Sequence, residues 1–396
     1  MTISQREFII LVAALMSMVA FTTDAILPAM GHMAIAFEVD DNAIQLVIIS
    51  VFVGHALGQL IYGPVSDRYG RRSSIFIGFG IFCLGSIVSI FSQSLEVMLL
   101  GRFLQGFGAS GPRVMVVALV RDCYGGRAMA RIMSFVMTLF MAVPIVAPLA
   151  GQGILLVGPW QWIFGFFLAF ALTLVTWVYF RLDETLKPEN RLSLHPKKLW
   201  VTMKQVLANP IATGYSVVAG FVLGGFMGYL SSAQQIFQQT YGVGNAFPIY
   251  FALLAIPTII ASLLNAKLVM RFGMYALVQT SNLITGLVCF AFYLYGQLLS
   301  EPSLLEYMLL CCVIFFGIGF RFGNINALAM EPLGKLAGMG ASVVGSASTL
   351  VSVPIGMWVG MAYDGTVLPL VLGFAITAWV AFFIMLFLNS QYQVQD

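Results

Sequence analysis

Apolar runs long enough to cross a lipid bilayer recur along almost the whole chain, separated by short polar breaks, and no other feature limits the fold as much. The hydrocarbon core of a bilayer asks for about 20 apolar residues per helix, and every backbone N–H and C=O inside it must be bonded within the segment or to a neighbour. The runs lack the period-two alternation of outer-membrane strands, so helices carry the backbone across. With 60% hydrophobic and only 9% charged residues, no soluble core could hide this much apolar surface. The expected fold is an all-α integral membrane protein.

Twelve spans are predicted, near 8–31, 43–63, 73–92, 97–119, 129–154, 161–180, 210–233, 246–267, 275–298, 304–328, 341–363 and 367–388. An even count puts both termini on one side, the near side. The basic residues test that count, because one missed span would scramble the side of every later one. Apart from Arg102, Arg113 and Arg321, which fall inside spans, every Lys and Arg lies on the near side, whereas the far-side turns carry acids such as Glu38, Asp40, Asp41, Glu96, Glu301 and Asp364. By the positive-inside rule both termini are cytoplasmic. The first span runs past Pro28 without a small-residue cleavage site and is expected to be a retained helix. Cys83, Cys123, Cys289, Cys311 and Cys312 show no metal spacing or disulfide frame and read as small core residues.

One soluble-looking stretch, from Arg181 to Asn209, divides the spans six and six. The expected organisation is an N-terminal six-helix bundle over 1–180, a cytoplasmic linker over 181–209, and a C-terminal six-helix bundle over 210–396. Within the linker, Leu199, Trp200, Met203 and Leu207 oppose Lys198, Lys204 and Gln205, a pattern that suits a helix lying on the membrane or a solvated connector. A repeat supports the division: Arg68-Tyr69-Gly70 follows span two and Arg271-Phe272-Gly273 follows span eight. At a second constant offset, Arg113, Gly126 and Arg127 match Arg321, Gly334 and Lys335. Such pseudo-symmetric halves are how many secondary transporters are built, with the cargo site near the midplane.

The run Gly63-Pro64-Val65-Ser66-Asp67-Arg68-Tyr69-Gly70-Arg71-Arg72 between spans two and three resembles the signature turn of the major facilitator superfamily, matching at Gly63, Asp67, Arg68, Gly70, Arg71 and Arg72. Arg102-Phe103-Leu104-Gln105-Gly106-Phe107-Gly108-Ala109 is similar to the same superfamily's motif in span four. Asp24 with Leu27-Pro28-Ala29, Gly58 through Pro64, and Val120-Arg121-Asp122 look like the Bcr/CflA branch of drug:proton antiporters. The resemblance implies two six-helix bundles, alternating access, and coupling to protons rather than ATP. It also implies a small-molecule cargo and a place in a bacterial inner membrane. In span five the antiporter pattern keeps only Pro148 and Gly151, so the direction of transport is less constrained than the family.

Ionisable groups inside spans cost roughly 2.5–3.5 kcal/mol each on insertion scales, so each needs a reason. Asp24 and Arg102 fall at nearly the same depth, given a rise of about 1.5 Å per residue. As a pair they form either a protonation-linked switch or a permanent structural bridge, and the switch is the expectation. His55 is the further proton-coupling candidate, since its unperturbed pKa suits a relay, the alternative being a structural histidine at a helix interface. Arg113 lies about three helical turns from Arg102, on the same face. With its repeat partner Arg321 it suits an anion clamp, or else both arginines snorkel to water. Tyr229, Gln234, Gln235 and Gln238 of span seven are expected to line an outer cavity. The run containing Gly63, Asp67, Arg68, Gly70, Arg71 and Arg72 is the expected gate, with Pro144, Pro148, Gly151 and Gly153 in span five, mirrored by Pro354 and Gly356 in span eleven, as bending points.

Proton-coupled efflux of a small organic molecule, with an anionic, siderophore-like cargo, is the leading expectation. A polyspecific exporter of lipophilic drugs, an anion importer and a transporter-like sensor are the alternatives. A monomer is expected, with no metal, cofactor, nucleic-acid partner or enzymatic activity; no GxxxxGK[ST] phosphate loop is present.

Overall fold

A computed structural model describes residues 3–186, 189, 191 and 196–392; linker residues 187, 188, 190 and 192–195 and the two chain ends lie outside the described residues. The helices in chain order are α1 (Gln5–Asp24), α2 (Met30–Phe37), α3 (Leu46–Tyr69), α4 (Arg71–Ile90), α5 (Leu95–Cys123), α6 (Gly126–Met141), α7 (Val143–Leu155) and α8 (Gln161–Arg181). After α9 (Pro196–Ala208) come α10 (Pro210–Gln234), α11 (Phe247–Phe272), α12 (Met274–Leu298), α13 (Leu304–Met330), α14 (Ala337–Met361) and α15 (Leu368–Tyr392). Together they make 12 membrane spans, because α1 with α2 and α6 with α7 each form one broken span and α9 is too polar to cross. Among the described residues there is no strand.

The chain divides into two compact units, one of Met1–Val39 with Ser50–Thr202 and one of Asp40–Ile49 with Met203–Asp396. The division falls inside α9, within the predicted linker. In the first unit α4 packs on α5 and α8, and α1 packs on α5. Arg181 ties the sixth span to the first by a two-pronged ion pair with Glu7, each N···O distance being 2.7 Å. In the second unit α10 packs on α14 and α15, and α11 on α13. That unit also takes in the far-side end of span two. There Gln45 Nε2 donates to Gln235 Oε1 at 2.6 Å and to Gly360 O at 3.0 Å.

The repeat is written into the backbone. The predicted multi-residue turn after span two shrinks to one residue: α3 continues through Pro64 to Tyr69, and only Gly70 leaves the helix before α4 begins. Pro64 removes a single N–H from the ladder, and the polar residues after it are ordinary helix formers, so the helix survives. Gly70 (φ 100°, ψ 160°) and its counterpart Gly273 (φ 78°, ψ 165°) make the same turn, in a region that side chains rarely enter. Gly126 and Gly334, the second matched pair, also share positive φ. In span five the break falls at Ala142, before Pro144 in the first turn of α7, and not at Pro148, which stays helical.

Candidate functional site

The first span is broken where its carboxylate sits. Pro28 lacks an N–H and its ring crowds the carbonyl four residues back, that of Asp24. Accordingly α1 stops at Asp24, and a 3-10 turn over Leu27–Ala29 leads into α2. The end of α1 leaves carbonyls in apolar surroundings, where they need donors. Arg102 supplies one: its Nη2 donates to Thr22 O at 3.0 Å while Nη1 donates to Gln105 Oε1 at 2.7 Å. Gln105 extends the network by donating to Ser86 Oγ at 2.9 Å, and Phe164 lies under the guanidinium. Arg102 is wholly buried and Asp24 is 5% exposed.

The expected ion pair between Asp24 and Arg102 is not formed; among the described residues no ion pair includes Asp24. The cation rests on the carbonyl two residues before the acid, because unwinding at Pro28 presents that oxygen at the carboxylate's depth. Gly151 on α7 touches the same break. A Cβ built there would lie 1.8 Å from Ala25 O, so only glycine lets α7 come this close.

His55 and Arg113, assigned separate roles from the sequence, meet. Gly54 and Gly58 flank His55 on α3, and a Cβ at either would strike α5, at Phe103 O (2.1 Å) or Ser110 Oγ (1.9 Å). This close packing brings Arg113 Nη1 to 2.9 Å from His55 Nε2. Arg321 does not mirror Arg113. It is 3% exposed, and it donates to Asn282 Oδ1 and to Ile314 O, each at 3.3 Å, within its own bundle. The backbone repeat is kept while the two guanidinium groups bond to different kinds of neighbour, each within its own unit.

Tyr229 is not open to a cavity: it is fully buried, stacked on Phe226 and Phe251 and edge-on to Phe315 at 4.9 Å. The half-buried members of this aromatic cluster are Phe226 and Phe322, 6.0 Å apart. Gln234 is buried, donating to Gln238 Oε1 at 2.8 Å. Beyond it α10 widens into a π-helical turn, Gln235–Thr240, of the kind often found at functional sites. Gln45, the partner of Gln235, was not foreseen from the sequence; the available signal was an amide within an apolar run.

In the near-side turn, Arg71 is buried. Its Nη1 donates to Asp67 Oδ1 (2.6 Å) and Ser66 Oγ (2.7 Å), and its Nε donates to Asp122 Oδ2 (2.9 Å). Glu184 accepts the N–H groups of Arg71 (2.9 Å) and Arg72 (3.2 Å), placing a carboxylate at the N-terminus of α4, where the helix dipole favours it. Arg72 lies over the Phe76 and Tyr179 rings, while Arg68 is exposed beside Tyr69 and Gly63 sits within α3. Asp122 and Glu184 were missed as partners because sequence distance hides them. Arg71→Ala should destabilise the protein by about 1–3 kcal/mol, leaving Asp122 without its cation, whereas Arg68→Ala should leave the melting temperature unchanged in detergent. No group of His, Cys, Asp and Glu suited to a metal occurs among the described residues.

Twelve membrane helices, a repeat written into the turns and a buried acid at a broken helix define a multi-pass membrane transporter. The chain belongs to the Major Facilitator Superfamily, whose family model matches residues 10–357. It is 30% identical over 346 residues to the MFS-type transporter YdgK of Bacillus subtilis (strain 168), covering 85% of this chain and 84% of that one. A bicyclomycin resistance protein homolog of Haemophilus influenzae is 27% identical, with 97% and 96% covered. Multidrug resistance protein D of Escherichia coli (strain K12) is 26% identical, with 82% and 81% covered. A crystal structure of a D-xylose-proton symporter shares the fold at a TM-score of 0.73 and 15% identity, with 96% of this chain and 97% of that chain covered. The protein is therefore a transporter and not an enzyme.

Proposed function

We propose that the protein is a proton-driven exporter of small drug-like molecules in a bacterial inner membrane, working as a monomer with both termini in the cytoplasm. The observation that carries this reading is Asp24, a buried carboxyl without an ion pair at the broken end of α1, with the Arg102 guanidinium on the carbonyl two residues away. A proton leaves Asp24 when Arg102 turns from Thr22 O onto the carboxylate, and returns when the cation swings back. The two arrangements differ in charge pairing and so bias the two access states. Gly151 against the break passes the change to α7, and the Asp67–Arg71 pair closes the near side.

The names of relatives concerned with bicyclomycin and multidrug resistance support drug efflux. The aromatic cluster around Phe226 and Phe322 suits flat apolar cargo. Phe226→Ala should weaken aromatic cargo by roughly 0.5–1.5 kcal/mol, read as a rise in the concentration needed for half-maximal transport. The test of the reading is proton flux. Adding ethidium to proteoliposomes holding a pH gradient should discharge the gradient, and a gradient untouched by ethidium and by a panel of other drugs would overturn it.

A second reading, an organic anion as cargo, is favoured by Arg113 alone. Arg113 is half-buried, and its guanidinium meets a histidine nitrogen rather than a carboxylate.

A further inference from the structure

The contact between Arg113 and His55 has a chemical consequence. A guanidinium has only donors, so at 2.9 Å the histidine Nε2 must be the acceptor, and the proton of the neutral ring sits on Nδ1. That Nδ1 is buried and has no hydrogen-bond partner among the described residues, on a histidine only 2% exposed. A second proton can add only at Nε2. It would turn the acceptor into a donor, set two cations face to face, and end the bond to Arg113.

Neither α3 nor α5 brings a carboxylate to absorb that charge. From α3, no Asp, Glu, Lys or Arg occurs between Leu46 and Ser66, and Tyr62 is the other titratable group about two turns along the same face. From α5, the charged residues between Glu96 and Arg121 are Arg113 and Arg102, and Arg102 is engaged at Thr22. Arg113 is the member of the pair that reaches the half-buried surface, so it is the one free to turn away.

We propose that His55 and Arg113 form one proton-linked anion site. Protonation of His55 releases the Arg113 guanidinium to bind an organic carboxylate, and the bound carboxylate in turn holds the proton on His55. The proton comes from water that reaches the half-buried Arg113 side and adds to Nε2 as the bond to Arg113 is given up; no covalent bond besides that N–H forms or breaks on the protein. By linkage, proton and anion strengthen each other's binding by the same factor. Carboxylate affinity then rises as the pH falls, by at most about tenfold per pH unit for one proton. The proposal rests on the anion reading of Arg113 and stands apart from the proton path through Asp24.

The chain has three histidines, His32, His55 and His195, which makes the site readable by nitrogen NMR of the full-length protein labelled at histidine in lipid nanodiscs. The His55 signal is assigned by its loss in His55→Gln. Neutral His55 should show the Nδ1–H tautomer. Arg113→Gln should raise its titration midpoint by roughly one pH unit or more, since a facing cation is removed. Arg113→Lys, which keeps the charge, should hold the midpoint near the wild-type value and guards against misfolding as the cause.

Salicylate, the probe carboxylate, should raise the midpoint in the wild type and not in Arg113→Gln. An Nε2–H tautomer, a midpoint indifferent to Arg113→Gln, or an equal salicylate response in both proteins would each overturn the proposal. Ethidium-driven proton flux measured on the same preparation reports separately on the exporter reading, so either can fail alone.

Discussion

Asp24→Asn should abolish proton-driven drug accumulation in proteoliposomes, down to the level of empty vesicles, while leaving exchange of labelled for unlabelled drug intact. Asparagine keeps the size of the side chain and can neither lose a proton nor pair with Arg102 as an anion. The protein would then be locked in one charge arrangement for the coupling step. Exchange moves cargo both ways without net proton movement, so it needs binding and rocking but no titration. Accumulation that persists under a pH gradient would remove Asp24 from the coupling path. Loss of both activities together would assign it to packing of the broken helix. Arg102→Gln makes a useful companion, since its neutral amide can still donate to Thr22 O but offers no charge to trade.

Gly151→Ala should cost transport nearly as much, through backbone contact. The added methyl would sit 1.8 Å from Ala25 O, far inside van der Waals separation, so α7 and the α1 break must move apart. Overpacking of this kind costs about 1–3 kcal/mol, and the displaced backbone is the one that carries Asp24. Gly153→Ala is the matched control, because a Cβ there meets nothing within 4 Å. A thermal melt together with ethidium-driven proton flux should separate the two variants; equal behaviour would mean that the contact between α7 and Ala25 is dispensable.

The spans and the repeat were legible in the chain because each depends on local chemistry. Hydropathy over about 20 residues reports the transfer of one helix into lipid, and a glycine matched across halves reports one turn with positive φ. Pro28 also carried the break in the first span, since a proline there removes a donor and crowds the carbonyl of Asp24. Other features depended on which neighbour a side chain found. Of the prolines expected to bend span five, Pro144 lies at the break, in the first turn of α7 where its missing N–H is tolerated, and Pro148 stays inside the helix.

The arginines mark the limit most clearly. Sequence alone determined that Arg102, Arg113 and Arg321 lie inside apolar helices long enough to cross a membrane. Tertiary structure decided what each one does: Arg102 rests on a carbonyl, Arg113 on a histidine nitrogen, and Arg321 on an asparagine oxygen within its own bundle. The physical reason is the reach of the side chain. A guanidinium on a long flexible stem can meet acceptors on several neighbouring helices, and in a low-dielectric interior it takes whichever oxygen or nitrogen the packing leaves unbonded. Helix spacing, set here by glycines such as Gly54, Gly58 and Gly151, fixes which acceptor that is.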